Sequence, residues 1–476
     1  MGENLQDLYR ELDVFFHPRG VAVLGASRKE KKVGHTVLKG LISGGEVPRP
    51  GLQGFRGGIY PVNPKEKEIL GLTCYPSITD IPDPVDIAIF CIPNTAVSAA
   101  MRQCVEKGVR GAIILTAGFG EAGPEGKQLQ EEFVAIAREG GIRVIGPNCL
   151  GCLYPPNDLN ASFGITLPYP GQVALFSQSG ALVDCIIDWS LSQQYGFSAM
   201  VSYGNKADLD VPDFLAWASQ DECTRAISLY IEGVGDGRRF IETASQVSRL
   251  KPIVVLKAGR SVKGTKAVSS HTGSLSGSYA VYAGVFRQAG IITADNLTEL
   301  LSISQALAFQ PLMKGRRVAI VTNGGACGVM CTDYCQEVGL DLPDPPPEMI
   351  DRLDSSGLIH PAWSRNNPFD IVGDAGPERY RAVLEEVMSS DLYDGVIVIQ
   401  TLQAVTDNLG DAKIVVEMSK TYRKPVIAAF MGGVISREGI DYLSEHHIPN
   451  FFDVKAAAYT MKALADYGQY RARVSD

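Results

Sequence analysis

Six histidines occur in 476 residues, and one stands almost entirely among Ser, Thr and Gly, in "SSHTGSLSGS" at 269–278. A neutral imidazole is a good nucleophile near pH 7. With Gly273 and Gly277 freeing the backbone, His271 meets the requirements of a transient phosphoryl carrier. A carboxylate bonded to the other ring nitrogen would fix the tautomer and stabilise the charge produced. Glu232, closing "SLYIEG", is the best candidate for it. Taken singly, His271 reads as a loop histidine and Glu232 as a strand-end carboxylate. The remaining histidines offer less. His17 and His360 precede proline, and His446 and His447 sit beside a helix end. His35, in "KVGHTVLKG", falls close to a glycine loop.

A phosphoryl carrier needs a cradle, and the chain offers anion-binding starts. Three apolar strands run into loops of small residues: "VAVLGAS" from Val21, "VALFSQSG" from Val173 and "VAIVTNGGACG" from Val318. A strand that ends this way and leads into a helix presents backbone N–H groups and the positive end of the helix dipole to a phosphate or carboxylate. Ser177, Ser179 and Gly180, and Asn323, Gly324 and Gly325, supply donors and close backbone approach in the later two. Glycine that merely permits tight strand–helix packing accounts for either loop alone almost as well. Two such loops together with an exposed histidine point further.

The first loop, Gly25, Ala26 and Ser27, is not G-x-G-x-x-G, so it is a weak nicotinamide fingerprint. The next strand ends in "PVNPK", without the acidic residue expected at a ribose hydroxyl. Lys65, with Arg28, Lys29, Lys31 and Lys32, suits a phosphorylated ribose instead, as in CoA or NADP.

The strands that carry these loops begin 152 and 145 residues apart, which are domain-sized intervals. Around them, apolar strands alternate with helix-patterned segments such as "TAVSAAMRQCVEKG" and "GKQLQEEFVAIAREG". That is βαβ order, and it predicts three successive α/β units with parallel, doubly wound sheets. The turn-rich stretch "LYPPNDLNASFGITLPYPG", 153–171, is expected to separate the first two units, and "AFQPLMKGRR" the last two. "IPNFFD" is expected as a strand of the third.

Composition narrows the function. A hydrophobic content of 45% with 20% charged residues fits a soluble globular chain. No apolar run approaches a membrane span, and the start lacks a signal-peptide pattern, so a cytoplasmic location is expected. The formal charge of −9, without basic runs, argues against a nucleic-acid partner. The ten cysteines are scattered. Cys149 and Cys152 lack the second ligand pair of a zinc site, and Cys327, Cys331 and Cys335 recur at a helical spacing that suits a buried stripe. No metal site is expected.

These residues together resemble a known family, the α subunit of NDP-forming acyl-CoA synthetases, relatives of succinyl-CoA synthetase. "GASRKEKKVGHTVLKGL", "YPVNPK", "TAGFGE" and "GPNCLG" are similar to its CoA-binding domain. "FSQSGAL", "YGNKADLDVPDFL", "YIEG" and "SSHTGSLSGS" are similar to its ligase domain, and "VTNGGACG" with "NPFDIVGDA" to its third domain. The resemblance spans residues 10 to 465. It implies a Rossmann-like CoA-binding domain at 10–152, then two flavodoxin-like ligase domains, 170–306 with the phosphohistidine loop and 315–470.

By position, the resemblance implies CoA contacts at Gly25, Ala26, Ser27, Arg28 and Lys65, with Pro93, Thr116 and Asn148 on the following loops. It implies phosphorylation of His271 with Glu232 in support, and phosphate held at the two later helix starts. The implied reaction is acyl-CoA + ADP + phosphate giving carboxylate + CoA + ATP, through an acyl phosphate. ADP and Mg²⁺ would be handled by an ATP-grasp module that these three units do not contain, so a separate β subunit is expected, in an α2β2 assembly. Val454 and Lys455 stand where the family shows Pro and Glu, which leaves that helix start open. Two other readings remain: a non-catalytic CoA-binding regulatory subunit, and an NADP-linked oxidoreductase.

Overall fold

Continuous apolar runs such as "GVAVL" and "GVIVIQ" become strands buried on both faces, as parallel sheets covered by helices require. The computed structural model describes residues 4–47, 49–272 and 278–475, with the side chains of 269–272 and 475 outside the described set. It divides into two compact units, up to Thr293 and from Ala294 onward.

The first unit opens with α1 (Leu5–Leu12), β1 (Gly20–Leu24), α2 (Val33–Ser43), β2 (Gly58–Val62) and a small hairpin, β3 (Glu68–Ile69) and β4 (Leu72–Thr73). It continues through β5 (Ile87–Phe90), α3 (Val97–Lys107), β6 (Gly111–Ile114), α4 (Pro124–Glu139) and β7 (Arg143–Ile145). The parallel sheet has the order β2-β1-β5-β6-β7. The winding reverses between β1 and β5, the place where doubly wound sheets open a crevice beyond their carboxyl ends.

A second sheet in the same unit is built from β8 (Gly151–Tyr154), β9 (Leu159–Ser162), β10 (Pro170–Ser177), α5 (Gly180–Ser192), β11 (Phe197–Ser202), α6 (Val211–Gln220) and β12 (Ala226–Ile231). α7 (Gly237–Val247), β13 (Ile253–Lys257), α8 (Val262–Thr272), α9 (Tyr279–Gln288) and β14 (Ile292–Thr293) complete it. Its order is β14-β13-β12-β10-β11-β8-β9. The switch falls between β10 and β12.

One expectation changes here. The stretch 153–171 is no simple separator: its Pro and Asn residues make the turn of the antiparallel β8–β9 hairpin, which closes the edge beside β11. The two sheets also share one apolar core, reaching from Val21 and Ile87 to Phe176 and Phe286, and are one body. α6 lies within that core, buried from Val211 to Ser219, with Trp217 stacked on Phe16 at 3.5 Å between ring centroids.

The second unit runs α10 (Leu297–Phe309), β15 (Val318–Thr322), α11 (Gly325–Glu337), α12 (Pro347–Ser355), β16 (Phe369–Asp370), α13 (Pro377–Ser389), β17 (Gly395–Thr401), α14 (Asn408–Tyr422), β18 (Val426–Met431), α15 (Arg437–Glu445) and α16 (Val454–Ser475). Its parallel sheet has the order β16-β15-β17-β18. α10, which the sequence pattern gives to the preceding unit, packs on α16. α16 starts at Val454, with the Lys455 N–H donating to the Asp453 carboxylate at 2.9 Å. "IPNFFD" forms only a bridge between Asn450 and Ala428, because the Asn450 side chain itself accepts the Phe430 N–H at 2.7 Å. Among the described residues no helix is long and apolar enough to cross a membrane.

Candidate functional site

At the carboxyl edge of the first sheet the expected CoA residues fall in one row. Lys65 follows β2, Gly25 to Arg28 follow β1, Pro93 follows β5, Thr116 follows β6 and Asn148 follows β7. Gly25 takes a left-handed φ of 85°, and a Cβ there would lie 2.5 Å from the Cys91 carbonyl oxygen. A Cβ at Gly34 in α2 would lie 2.2 Å from the Gly25 oxygen. The close helix–strand packing done by the last glycine of a dinucleotide fingerprint is therefore present here, at a longer spacing.

The loop is fixed from both sides. Asn63 donates to the Ala26 oxygen at 2.8 Å, and the ring nitrogen Nδ1 of buried His35 lies 3.0 Å from the Ser27 oxygen. His35 is a support for the loop. Arg28 is partly engaged: its guanidinium meets Glu66 at 2.8 Å and the Glu68 carbonyl at 2.8 Å. Lys65 and Pro93 are exposed, and Thr116 donates to the Ile92 oxygen at 2.7 Å.

The row joins the second sheet through backbone contacts. Asn205 N–H donates to the Pro147 oxygen at 2.9 Å and Ala207 N–H to the Gly146 oxygen at 3.0 Å, so "GPN" and "YGNKA" are knit together. Gly204 is obligatory there: a Cβ would lie 2.3 Å from the Asn148 oxygen. Glu121 of "TAGFGE" accepts from Asn205 and from the Gly118 and Phe119 N–H groups. Burial pushes the Glu121 carboxyl up, but those donors outweigh it and hold the group below the ordinary carboxylate range.

Ser177, Ser179, Gly180 and Glu232 meet at the switch point of the second sheet, after β10 and β12. The Ser177 hydroxyl donates to the Ser179 oxygen at 2.9 Å and accepts the Ser179 N–H at 3.0 Å. The Ser179 hydroxyl caps α5, accepting from Leu182 N–H at 3.3 Å. Gln178, which sequence reasoning passed over, accepts the N–H groups of both Glu232 and Gly233, the second at 3.0 Å.

Two lysines also missed from sequence lie here. Lys257 donates to the Glu232 carbonyl at 2.8 Å and Lys206 to the Gly233 carbonyl at 2.6 Å. Burial lowers the pKa of both lysines, and the Glu232 carboxylate opposes that shift. In Lys257 the neighbouring Lys206 adds to the lowering.

The second unit repeats the arrangement. The Thr322 hydroxyl donates to the Gly324 oxygen at 3.1 Å and accepts its N–H at 3.0 Å, as Ser177 does with Ser179. Asn323 occupies the place of Gln178: its Oδ1 accepts the Thr401 N–H at 2.7 Å across the β15–β17 switch, and its Nδ2 donates to the Thr401 oxygen at 2.9 Å. The Asn323 side chain is buried and shapes the loop, and with the Gly324 N–H taken by Thr322 it is the helix start at Gly325 that could face an anion. A Cβ on Gly325 would lie 2.7 Å from an Asp370 carboxylate oxygen, which ties "NPFD" to the same helix start.

The backbone of His271 lies in the last turn of α8, so "SSHT" continues a helix where the sequence suggested a loop. The helix starts at a Ser261 hydroxyl that accepts the Gly264 N–H at 3.0 Å. The His271 side chain, and residues 273–277, lie outside the described residues. Cys149 and Cys152 are buried, and burial pushes both thiols up.

Three family profiles match the chain: a CoA binding domain over residues 19–155, a succinyl-CoA ligase like flavodoxin domain over 170–307 and a ligase-CoA domain over 318–471. The chain is 41% identical over 468 residues to the acetate–CoA ligase (ADP-forming) I subunit alpha of Pyrococcus furiosus, covering 97% of this chain and 99% of that one. It is 42% identical over 463 residues to the longer acetate–CoA ligase (ADP-forming) I of Archaeoglobus fulgidus, covering 97% of this chain and 64% of that one. The solved dinucleotide-forming acetyl-coenzyme A synthetase 1 of Ca. Korarchaeum cryptofilum, in complex with phosphate and ADP, superposes with a TM-score of 0.90 at 37% identity, covering 98% of each chain. These relatives favour a synthetase over the oxidoreductase and the non-catalytic subunit.

Proposed function

The chain belongs to the ADP-forming acyl-CoA synthetases of the succinyl-CoA synthetase superfamily, and we propose that it is the α subunit, working through a phosphohistidine at His271. The supporting observation is the duplicated cradle: a hydroxyl-locked strand end and an amide crosslink at the switch point open α5 in one unit and α11 in the other. Each of these helix starts, built alike in its own unit, suits a phosphate group.

CoA lies along the first-sheet row, its phosphates at Gly25 to Ser27 and its phosphorylated ribose near Lys65 and Arg28. Phosphate attacks the thioester carbonyl, the C–S bond breaks, and CoA leaves as the acyl phosphate forms. The imidazole of His271 then attacks phosphorus and the carboxylate leaves. Glu232 accepts the remaining ring N–H and stabilises the charged phosphohistidine. Ser179 and Gly180 at the start of α5, and Gly325 at the start of α11, are each suited to hold phosphate oxygens, with Ser177, Asn323 and Gly324 shaping the loops.

The phosphoryl group passes to ADP on an ATP-grasp partner, where Mg²⁺ accompanies the nucleotide. In the longer relatives the third of the chain beyond this match is the expected counterpart of that partner. The domains read as 10–152, 170–306 and 315–470, in an α2β2 enzyme of the cytoplasm. The substrate is a carboxylic acid, with acetate the first to test.

Reconstituted with a β subunit, the pair is expected to form ATP from acetyl-CoA, ADP and phosphate. His271→Ala is expected to abolish this while CoA binding, carried by another sheet, is retained. Normal turnover in His271→Ala would refute the mechanism.

A further inference from the structure

The four residues that follow β12, Glu232 to Gly235, are held by side chains from almost every element around them. Their N–H groups are taken in turn by Gln178, Gln178 again, the Tyr282 hydroxyl at 3.2 Å and Asp210 at 2.6 Å. Their first two carbonyls are taken by Lys257 and Lys206. Lys257 is buried at 2% exposure and also donates to the Ala258 oxygen at 2.5 Å. Its ammonium lies 4.7 Å from the Tyr282 ring centroid. A buried ammonium held on carbonyls is an expensive way to brace a strand end, since neutral donors would do it without the desolvation. What the ammonium adds is charge, and the carboxylate that acts on it is that of Glu232.

We propose that Lys206 and Lys257 are positioning residues for Glu232, which fix its backbone and set positive charge beside its carboxylate so that it can serve the histidine. This rests on the reading of Glu232 and His271 given above. The groups acting on Glu232 come from four sides. Lys206, Tyr203 and Asp210 lie between β11 and α6, Tyr230 precedes it on β12, Lys257 is on β13, and Gln178 follows β10. Of the titratable members only the two lysines are cations. The tyrosines are pushed up by burial and stay neutral, and Asp210 is a second carboxylate acting on Lys206.

The test uses the full enzyme with its β subunit. Acid-labile phosphate on His271 and kcat are measured from pH 5 to 9 for wild type, Lys206→Met, Lys257→Met, Lys206→Arg and Glu232→Gln. Loss of a cation raises the pKa of a carboxylate, so the acid limb of both profiles is expected to move up by about one pH unit in each Met variant. The Arg variant should restore it.

A second measurement covers the case in which Lys257→Met does not fold. Lys206→Met is added to Glu232→Gln, and no further change in profile is expected if the lysine acts through the carboxylate. Unmoved acid limbs in folded Met variants, or an additive effect in the double variant, would overturn the proposal. Failure of wild type to label His271 would instead overturn the reading on which it rests.

Discussion

Asp411 is wholly buried at the start of α14 against Gln400, and burial pushes its carboxyl up to about 7. Its folded pKa lies above the unfolded value, so the folded state holds the proton more tightly and this group destabilises the fold progressively as pH rises from about 4 to about 7. Asp411→Asn keeps an acceptor for Gln400 and removes the charge. It is expected to raise stability at pH 8 by about 1–3 kcal/mol and to change little at pH 4, read by urea unfolding at both values. Equal effects at the two pH values would show that the carboxylate is not the titrating group. At the cradle, Gln178→Ala leaves the N–H groups of Glu232 and Gly233 without their acceptor. A loss of about 1–3 kcal/mol is expected, with lower turnover and unchanged CoA affinity. Sequence reasoning singled out Ser177, Ser179 and Glu232, whose residue types announce chemistry. It missed Gln178, Lys206 and Lys257, because a polar side chain that works on the backbone of another strand has no local signature. Gln178 and Glu232 are 54 residues apart.

Elements were more legible than their partners. Apolar runs ending in Gly and Ser became β1, β10 and β15, each at the centre of its sheet's reversal, since fully buried parallel strands leave a continuous hydrophobic trace. The β8–β9 hairpin was hidden within a Pro- and Asn-rich stretch, because the same residues mark a linker and a tight turn. The assignment of α10 was hidden for another reason: its apolar face does not say which neighbour covers it. The first anion loop depends on contact between elements, and Gly34→Ala tests that. A methyl group there meets the Gly25 oxygen, so α2 must move off β1. The expected cost is about 1–3 kcal/mol of stability, and CoA affinity should fall about tenfold or more, read by calorimetric titration with CoA. Intact CoA affinity would remove this loop from the binding site.

At the scale of the whole molecule, three α/β modules carry a CoA-binding domain and two helix starts of like build, and the nucleotide is expected on a second chain. The α chain alone is therefore expected to bind CoA, to show no preference for NADPH in the same titration, and to make no ATP until the β subunit is added. ATP formation by the isolated chain would contradict that division of labour. The central claim is the phosphohistidine. Incubation of the α and β subunits with Mg-ATP labelled in its γ-phosphate, followed by peptide mapping, tests it directly. The account predicts one acid-labile, alkali-stable phosphate per α chain, on His271, discharged by carboxylate and CoA. A turning-over enzyme with no such label, or with the label on another residue, would contradict it.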